Sequence, residues 1–560
     1  MFVAAFSAVV GFLAYLLTFL SGPPRVTIAN GTVIGLHDDL VDTFMGIPYA
    51  QPPIGPLRLK PPKPLAEKFG TIEATSIPRA CPPLPAQADP HMLEQLPPAI
   101  AEPLIAVFQE PQFVGEDCLT LNIQRPSFAT AQSKLPVLLW IYGGGFEQGS
   151  TQQADFGHVV RESIQLEHPI MVVQMNWRVS AFGFLAGKEL QEDGSTNLGL
   201  RDQRLALQWI ADNIAAFGGD PSKVVIWGES AGGMSVFDHM IINGGDNTYH
   251  AQPLFRGGIM NSGASAPALS VDSTVAQKIY DLVVAGAGCA SSTDSLDCLR
   301  GVPYETFLNA TASIDGIFNR EGVAMSFTPR PDSRDDFFPV SPDEVVHAPS
   351  PTVARIPLLS GTEEDEGTLF ALALYRATDV ESLVQALNHI VPGTPAGVLR
   401  KIVSFYAEDP ALGSSDASQL YDGFKRNAAI SGDVVFTFQH RAVLSVLAEI
   451  IPVWSWVSTY GRELPFLGTF HGTDIMTLAK GQPEPMYHSL LQYYISFVHY
   501  LDPNVLPRVK GGRKALEWPQ YLRDRKDIIQ FTKEGEKLAK DNVRTEAFEY
   551  FFSQMINLRW

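Results

Sequence analysis

Val224-Val225-Ile226-Trp227-Gly228-Glu229-Ser230-Ala231-Gly232-Gly233 is an apolar run of strand character that ends in G-x-S-x-G and passes at once into Met234-Ser235-Val236-Phe237, which reads as a helix start. The pattern places Ser230 on a tight strand-to-helix turn, a nucleophile elbow. Two backbones come close at such a turn, so glycine is needed where side chains would collide. The helix N-terminus then presents free N–H groups and the positive end of its dipole to any anion formed at the serine. The pentapeptide alone is a weak pattern. Its weight comes from the strand before it, the helix after it and partners elsewhere in the chain.

Outward from the elbow, residues 136–142 form an apolar run entering Gly143-Gly144-Gly145-Phe146, and residues 170–176 form another. Leu207, Ile210, Ile214 and Phe217 recur at helical spacing and stop at Gly218-Gly219-Asp220-Pro221. Beyond the elbow, residues 256–261, 356–360 and 453–458 read as strands separated by helical or irregular segments. This alternation predicts an α/β fold with a largely parallel central sheet covered on both faces. Active residues of such a sheet collect at the carboxyl ends of its strands.

Three strand ends carry candidate chemistry. The triglycine aims backbone N–H groups at a developing oxyanion, with the N–H after the serine as a further donor, so Gly144, Gly145 and Ala231 are the expected oxyanion hole. Ser360-Gly361-Thr362-Glu363-Glu364-Asp365-Glu366-Gly367-Thr368 carries four acids, and residue chemistry alone singles out none of them. Gly468-Thr469-Phe470-His471-Gly472-Thr473-Asp474 puts His471 in a glycine-flanked loop after a core strand. The chain order Ser, acid, His fits the α/β-hydrolase arrangement.

With Glu116-Asp117-Cys118-Leu119-Thr120-Leu121-Asn122, Asn176-Trp177-Arg178-Val179, Asp365-Glu366-Gly367 and Phe470-His471-Gly472 added to the elbow and the triglycine, the chain resembles the type-B carboxylesterase/lipase family from about Val26 to near its C-terminus. That family includes the cholinesterases and the Candida rugosa-type fungal lipases, and the pattern is closer to the latter. The resemblance implies an α/β-hydrolase fold and a Ser230, Glu366, His471 triad acting on carboxylic esters through an acyl-enzyme; with scattered His residues, no H-x-x-x-H and no phosphate-binding glycine loop, the sequence suggests no cofactor or metal. Asp365 is the alternative acid, and Glu229 is expected to be structural. The disulfide pairs Cys81 with Cys118 and Cys289 with Cys298, already suggested by order and spacing, are those the family implies.

The loop closed by Cys81 and Cys118 has Leu93, Leu96, Ile100, Leu104, Ile105 and Phe108 at helical spacing, interrupted by Pro97, Pro98 and Pro103. It is expected to be a flap of short amphipathic helices. In the resembling lipases this loop is a lid over an apolar tunnel, which implies apolar or lipid esters met at a lipid-water interface. A fixed cover over a small-ester pocket is the alternative. No Trp or Tyr lies in this loop to receive a quaternary ammonium, which argues against choline esters. Relatives that lost the triad serve as binding or adhesion proteins; here Ser, Glu and His are all present. Phe370 is a candidate for either the acyl site or the core.

The 560 residues, 45% of them apolar, suffice for a large core, and a net charge of −19 without basic runs excludes nucleic acid as an expected partner. Residues 1–20 are apolar apart from Ser7, Tyr15 and Thr18 and break at Ser21-Gly22-Pro23-Pro24. Residues 1–22 therefore read as a secretory signal and 23–560 as the hydrolase domain of a secreted protein. Without a preceding Lys or Arg, or a small-x-small cleavage site, an uncleaved membrane anchor is the alternative. The sequons at Asn30 and Asn309 agree with export.

Overall fold

The computed structural model describes residues 22–85, 87, 111–319, 322–406, 419–481, 485–506 and 516–560. The helical pattern expected over 93–108, and residues 1–21 of the leader, lie outside these. The central sheet has eleven strands. In chain order they are β1 Leu36–Asp38, β2 Val41–Pro48, β3 Thr120–Pro126, β4 Leu135–Ile141, β5 Met171–Met175, β6 Gly219–Glu229, β7 Gly257–Asn261, β8 Leu358–Glu363, β9 Val453–Ser458, β10 Asp527–Thr532 and β11 Gly535–Lys540. Across the sheet the order is β11-β10-β9-β8-β7-β6-β4-β5-β3-β2-β1. From β10 through β5 every neighbour is parallel; β1, β2 and β3 at one edge and β11 at the other are antiparallel.

Strands β4, β5 and β7 are buried along their whole length, as continuous apolar runs covered on both faces should be. Strand β6 sits between β4 and β7 with Trp227 opposite Trp140 and Ile259, so the elbow leaves from the middle of the sheet. The helix Leu198–Asn213 tightens into a 3-10 turn over Ile214–Phe217 and stops at Gly218, whose φ is 95°. Leu207, Ile210, Ile214 and Phe217 are all buried, as their spacing predicts. The Asn30-Gly31 turn joins Arg25–Ile28 to Gly31–Ile34 in an antiparallel hairpin.

Both disulfides are formed as expected, Cys81 to Cys118 and Cys289 to Cys298. Among the described residues no helix is long and apolar enough to cross a membrane. One irregularity sits close to the site. Helices Phe424–Gly432 and Phe438–Leu447 are joined by a π-helical turn, Asp433–Thr437, pinned where the Arg544 guanidinium (Nη2 to Oδ1, 2.7 Å) and the Tyr406 hydroxyl (2.6 Å) donate to the Asp433 carboxylate.

Candidate active site

Ser230 stands between β6 and the helix Ala231–Ile241 with φ 55° and ψ −125°, a conformation costing a non-glycine residue about 1–3 kcal/mol. The surroundings enforce it. Its N–H donates to Asn261 O at 2.9 Å, and its carbonyl accepts from Met234 N at 2.9 Å. A Cβ at Gly228 would stand 2.2 Å from the Gly232 carbonyl carbon, and one at Gly232 would stand 2.0 Å from Ile141 O. These are the positions where the sequence demanded glycine. Ser230 lines a cavity of about 510 Å³ together with Gly143, Gly144, Gly145 and His471.

The acid arrives from the turn after β8. Glu366 Oε2 accepts from His471 Nδ1 at 2.6 Å, while Oε1 accepts from Glu363 N at 2.8 Å, so both carboxylate oxygens are fixed. Asp365 has a different task. Its Oδ2 accepts from Thr469 N at 3.0 Å, and its own N–H donates to Thr469 O at 3.0 Å, so it braces the loop that carries His471. Gly367 lets the turn press on helix Phe424–Gly432: a Cβ there would stand 1.9 Å from Ala428 O. The π-turn sets the Phe436 ring 4.2 Å from the imidazole, and Phe370 lies 5.3 Å away on the cavity wall.

Burial works to lower the His471 imidazole, but the adjacent Glu366 and Glu229 carboxylates prevail and raise it above its ordinary value. Glu229 is the residue that sequence reasoning set aside. Its Oε1 lies 3.2 Å from His471 Nε2, and burial pushes its carboxyl up to about 7. Two more buried acids stand behind it. Asp474 Oδ2 accepts from Asn261 Nδ2 at 2.5 Å, and Asp474 N donates to Glu363 Oε1 at 3.2 Å. Burial, with neighbouring acids adding to it, raises both carboxyls. The signal available in the sequence was only that Asp474 follows His471 in the same glycine-flanked loop.

The triglycine loop meets the elbow directly: a Cβ at Gly143 would stand 2.7 Å from Glu229 O and 2.8 Å from the Ser230 Cβ. Gly144 and Gly145 take φ of 109° and 64°. Among the described residues the N–H groups of Gly144, Gly145 and Ala231 donate to no acceptor, which leaves them free for an anion beside Ser230. A smaller apolar pocket continues from Ser230 past Met234, Ile317, Met325, Val435 and Phe436. Phe370 is buried in the core and also lines both cavities, so it takes both of its expected places. Asn309 is exposed and Asn30 half-buried.

This arrangement can attack a carbonyl, shuttle a proton and hold an oxyanion. Residues 22–551 match the model of the carboxylesterase family. The chain belongs to that family. It is 45% identical to Secreted lipase 1 of Botryotinia fuckeliana over 95% of this chain and 93% of that one. It is 38% identical to Lipase 2 of Diutina rugosa, covering 95% and 97%. Among solved structures it resembles Aspergillus niger EstA, with a TM-score of 0.80, 26% identity and coverage of 96% and 99%. This member of the carboxylesterase family is a carboxylic-ester hydrolase with an α/β-hydrolase fold.

Proposed function

We propose that the chain hydrolyses apolar carboxylic esters, acylglycerols among them, with Ser230 as nucleophile, His471 as general base and then acid, and Glu366 as the group that orients the imidazole. The observation that carries this reading is the 2.6 Å contact between Glu366 Oε2 and His471 Nδ1 in the cavity lined by Ser230. Holding Nδ1–H leaves Nε2 as the basic nitrogen, and Nε2 has no hydrogen-bond partner among the described residues. It takes the Ser230 proton as the serine oxygen attacks the ester carbonyl, through a hydrogen bond that forms when substrate is seated. The tetrahedral oxyanion is held by the N–H groups of Gly144, Gly145 and Ala231. The alcohol leaves with the proton from His471, and water repeats the sequence on the acyl-enzyme.

The cavity of about 510 Å³ at Ser230, walled by Ile317, Leu369, Phe370, Ile475 and Met476, supports an acyl chain as the part of the substrate bound there. A relative from Gibberella zeae, 41% identical over 94% of this chain, carries the name Secreted triacylglycerol lipase LIP1, in keeping with this substrate class and with export. On this reading residues 1–22 are a secretory leader, 23–560 are the hydrolase domain, and the Cys81–Cys118 loop is a lid that opens at a lipid-water interface.

The test is one ester series from short to long acyl chains, measured across each substrate's solubility limit for wild type and Ser230→Ala. A rate that rises sharply once long-chain ester forms an emulsion, and is lost in Ser230→Ala, is the expected result. Hydrolysis surviving in Ser230→Ala overturns the mechanism. Smooth saturation below solubility, with short chains preferred, overturns the lid.

A further inference from the structure

Glu147 directly follows the triglycine loop, is buried at 1% exposure, and has no part in the reaction above. Its N–H donates to Gly144 O at 3.0 Å, and its carbonyl accepts from Leu84 N at 2.8 Å, three residues beyond Cys81. Its side chain reaches a separate piece of chain, where Oε2 accepts from the Ile317 N–H at 2.7 Å. Ile317 belongs to the irregular stretch that follows the helix Tyr304–Ala312. Its side chain lies over Gly145, where an added Cβ would stand 2.8 Å from Ile317 Cδ1, and it lines both cavities. Val323 and Met325, further along, line the smaller one.

An irregular stretch has no strand ladder to fix its position, so its few bonds to the body decide where it stands. Gln87 Nε2 donates to Ala312 O and Ile314 O and holds the beginning. Asn319 Nδ2 to Gly316 O and Ser326 Oγ to Asp315 O close bonds within the stretch itself. The Ile317 bond to Glu147 ties its middle to the loop that carries the oxyanion donors. The oxyanion loop has further anchors of its own. Ser180 N donates to Phe146 O at 2.8 Å, and Phe146 packs edge-on against Trp177 and Phe184.

We propose that Glu147 is a positioning residue that determines acyl-chain specificity: it holds Ile317 and the wall behind it at the spacing from Ser230 that a long acyl chain needs. The inference rests on the reading of Ser230 as nucleophile and of the cavity of about 510 Å³, which Ile317 lines with Ser230, as the place of the acyl chain. Burial pushes the Glu147 carboxyl up to about 8, against the opposing pull of the Ile317, Phe327 and Ser326 N–H groups, so at pH 7 it is mainly the neutral acid. A neutral acid and an amide each offer an acceptor oxygen and a donor, whereas leucine offers neither.

The test compares acetyl and dodecanoyl esters of one alcohol in wild type, Glu147→Leu, Glu147→Gln and Gly316→Ala, with thermal midpoints as a check of folding. Glu147→Leu is expected to raise KM for the dodecanoyl ester about tenfold while kcat on the acetyl ester stays within about twofold. Glu147→Gln is expected to keep both values within about twofold. Gly316→Ala leaves the acid in place but puts a Cβ 2.8 Å from Glu147 Oε2 and 2.5 Å from Leu84 Cδ2, so it pushes the wall off its anchor. It is expected to act in the same direction as Glu147→Leu, and it decides the matter if that variant does not fold. Equal losses on both esters, or no loss on either, overturn the inference. Ser230→Ala separates the two readings: if it is inactive while the chain-length ratio stays fixed, only the role of Glu147 fails.

Discussion

Glu229 Oε1 lies 3.2 Å from His471 Nε2, while Glu366 Oε2 lies 2.6 Å from Nδ1, so a carboxyl group stands at each nitrogen of one imidazole, the Glu366 one buried and the Glu229 one partly exposed. The two acids differ in what they do to proton transfer. On the proposed mechanism Glu366 fixes a tautomer, whereas Glu229 favours the protonated ring on the side that would receive the serine proton.

Removing the charge at Glu229 takes away one of the groups that raise His471. The base works when the ring is neutral, so a lower imidazole pKa extends activity toward acid. In Glu229→Gln the acidic limb of kcat/KM should move to lower pH than in wild type. Since the Glu229 carboxyl itself sits at about 7, the wild-type limb reports the pair and should be broader than a single ionisation. A limb that stays in place or moves to higher pH would show that Glu229 does not act on the base.

Glu366→Gln and Asp365→Asn test which neighbouring acid serves the histidine. Loss of the Glu366 charge at Nδ1 should lower kcat by about 10³–10⁴-fold with KM little changed. Asp365→Asn should keep most of kcat and act on stability instead, through the Thr469 N–H it accepts, costing about 1–3 kcal/mol. Steady-state kinetics and denaturant titration of the two variants give the comparison, and reversed effects would exchange the assignments.

The Ser230 backbone stores strain that glycine would not. Ser230→Gly should be inactive yet unfold at a higher temperature than Ser230→Ala, because relief of about 1–3 kcal/mol exceeds the extra chain entropy of about 0.5–1 kcal/mol that glycine loses on folding. Calorimetry of both proteins measures the difference. A lower midpoint for the glycine variant would mean that the turn is not strained.

Gly367→Ala should be damaging without touching any reacting group. The new methyl would meet Ala428 O at 1.9 Å and Gly432 N at 2.5 Å, and the turn that must shift to admit it carries Glu366. A stability loss of about 1–3 kcal/mol together with a fall in kcat is expected. A variant that loses stability but keeps kcat would separate the turn from the orientation of His471.

Ser230 and His471 were legible because each lies in a local pattern: a glycine-spaced turn between strand and helix, and a glycine-flanked loop after a strand. Choosing between Asp365 and Glu366 was beyond residue chemistry, since adjacent acids in one turn differ only in where the backbone aims them. Family resemblance named Glu366, and the bonds from Asp365 to Thr469 account for the other acid. Glu229 reads as structural from the sequence, since nothing in its neighbours along the chain reveals that His471 comes within 3.2 Å of it.

Strand β3 escapes a reading of the sequence for a related reason. Thr120–Pro126 places Asn122, Gln124 and Arg125 in the interior, where Gly46 N, Asp155 and Asp42 satisfy them, so its pattern does not look like an apolar run. The π-turn at Asp433–Thr437 depends on distant Arg544 and Tyr406, which no local periodicity records.

Ser230, Glu366 and His471 leave the sheet after β6, β8 and β9, and the Glu366–His471 bond alone closes across 105 residues. A site built from non-local strand pairings is completed only when most of the sheet is in register, and such pairings are slow to form. In refolding, ester turnover should therefore return after ellipticity has largely recovered. For protein recovered from a denatured state, covalent titration of Ser230 then counts finished molecules, whereas a helical spectrum also counts those still assembling.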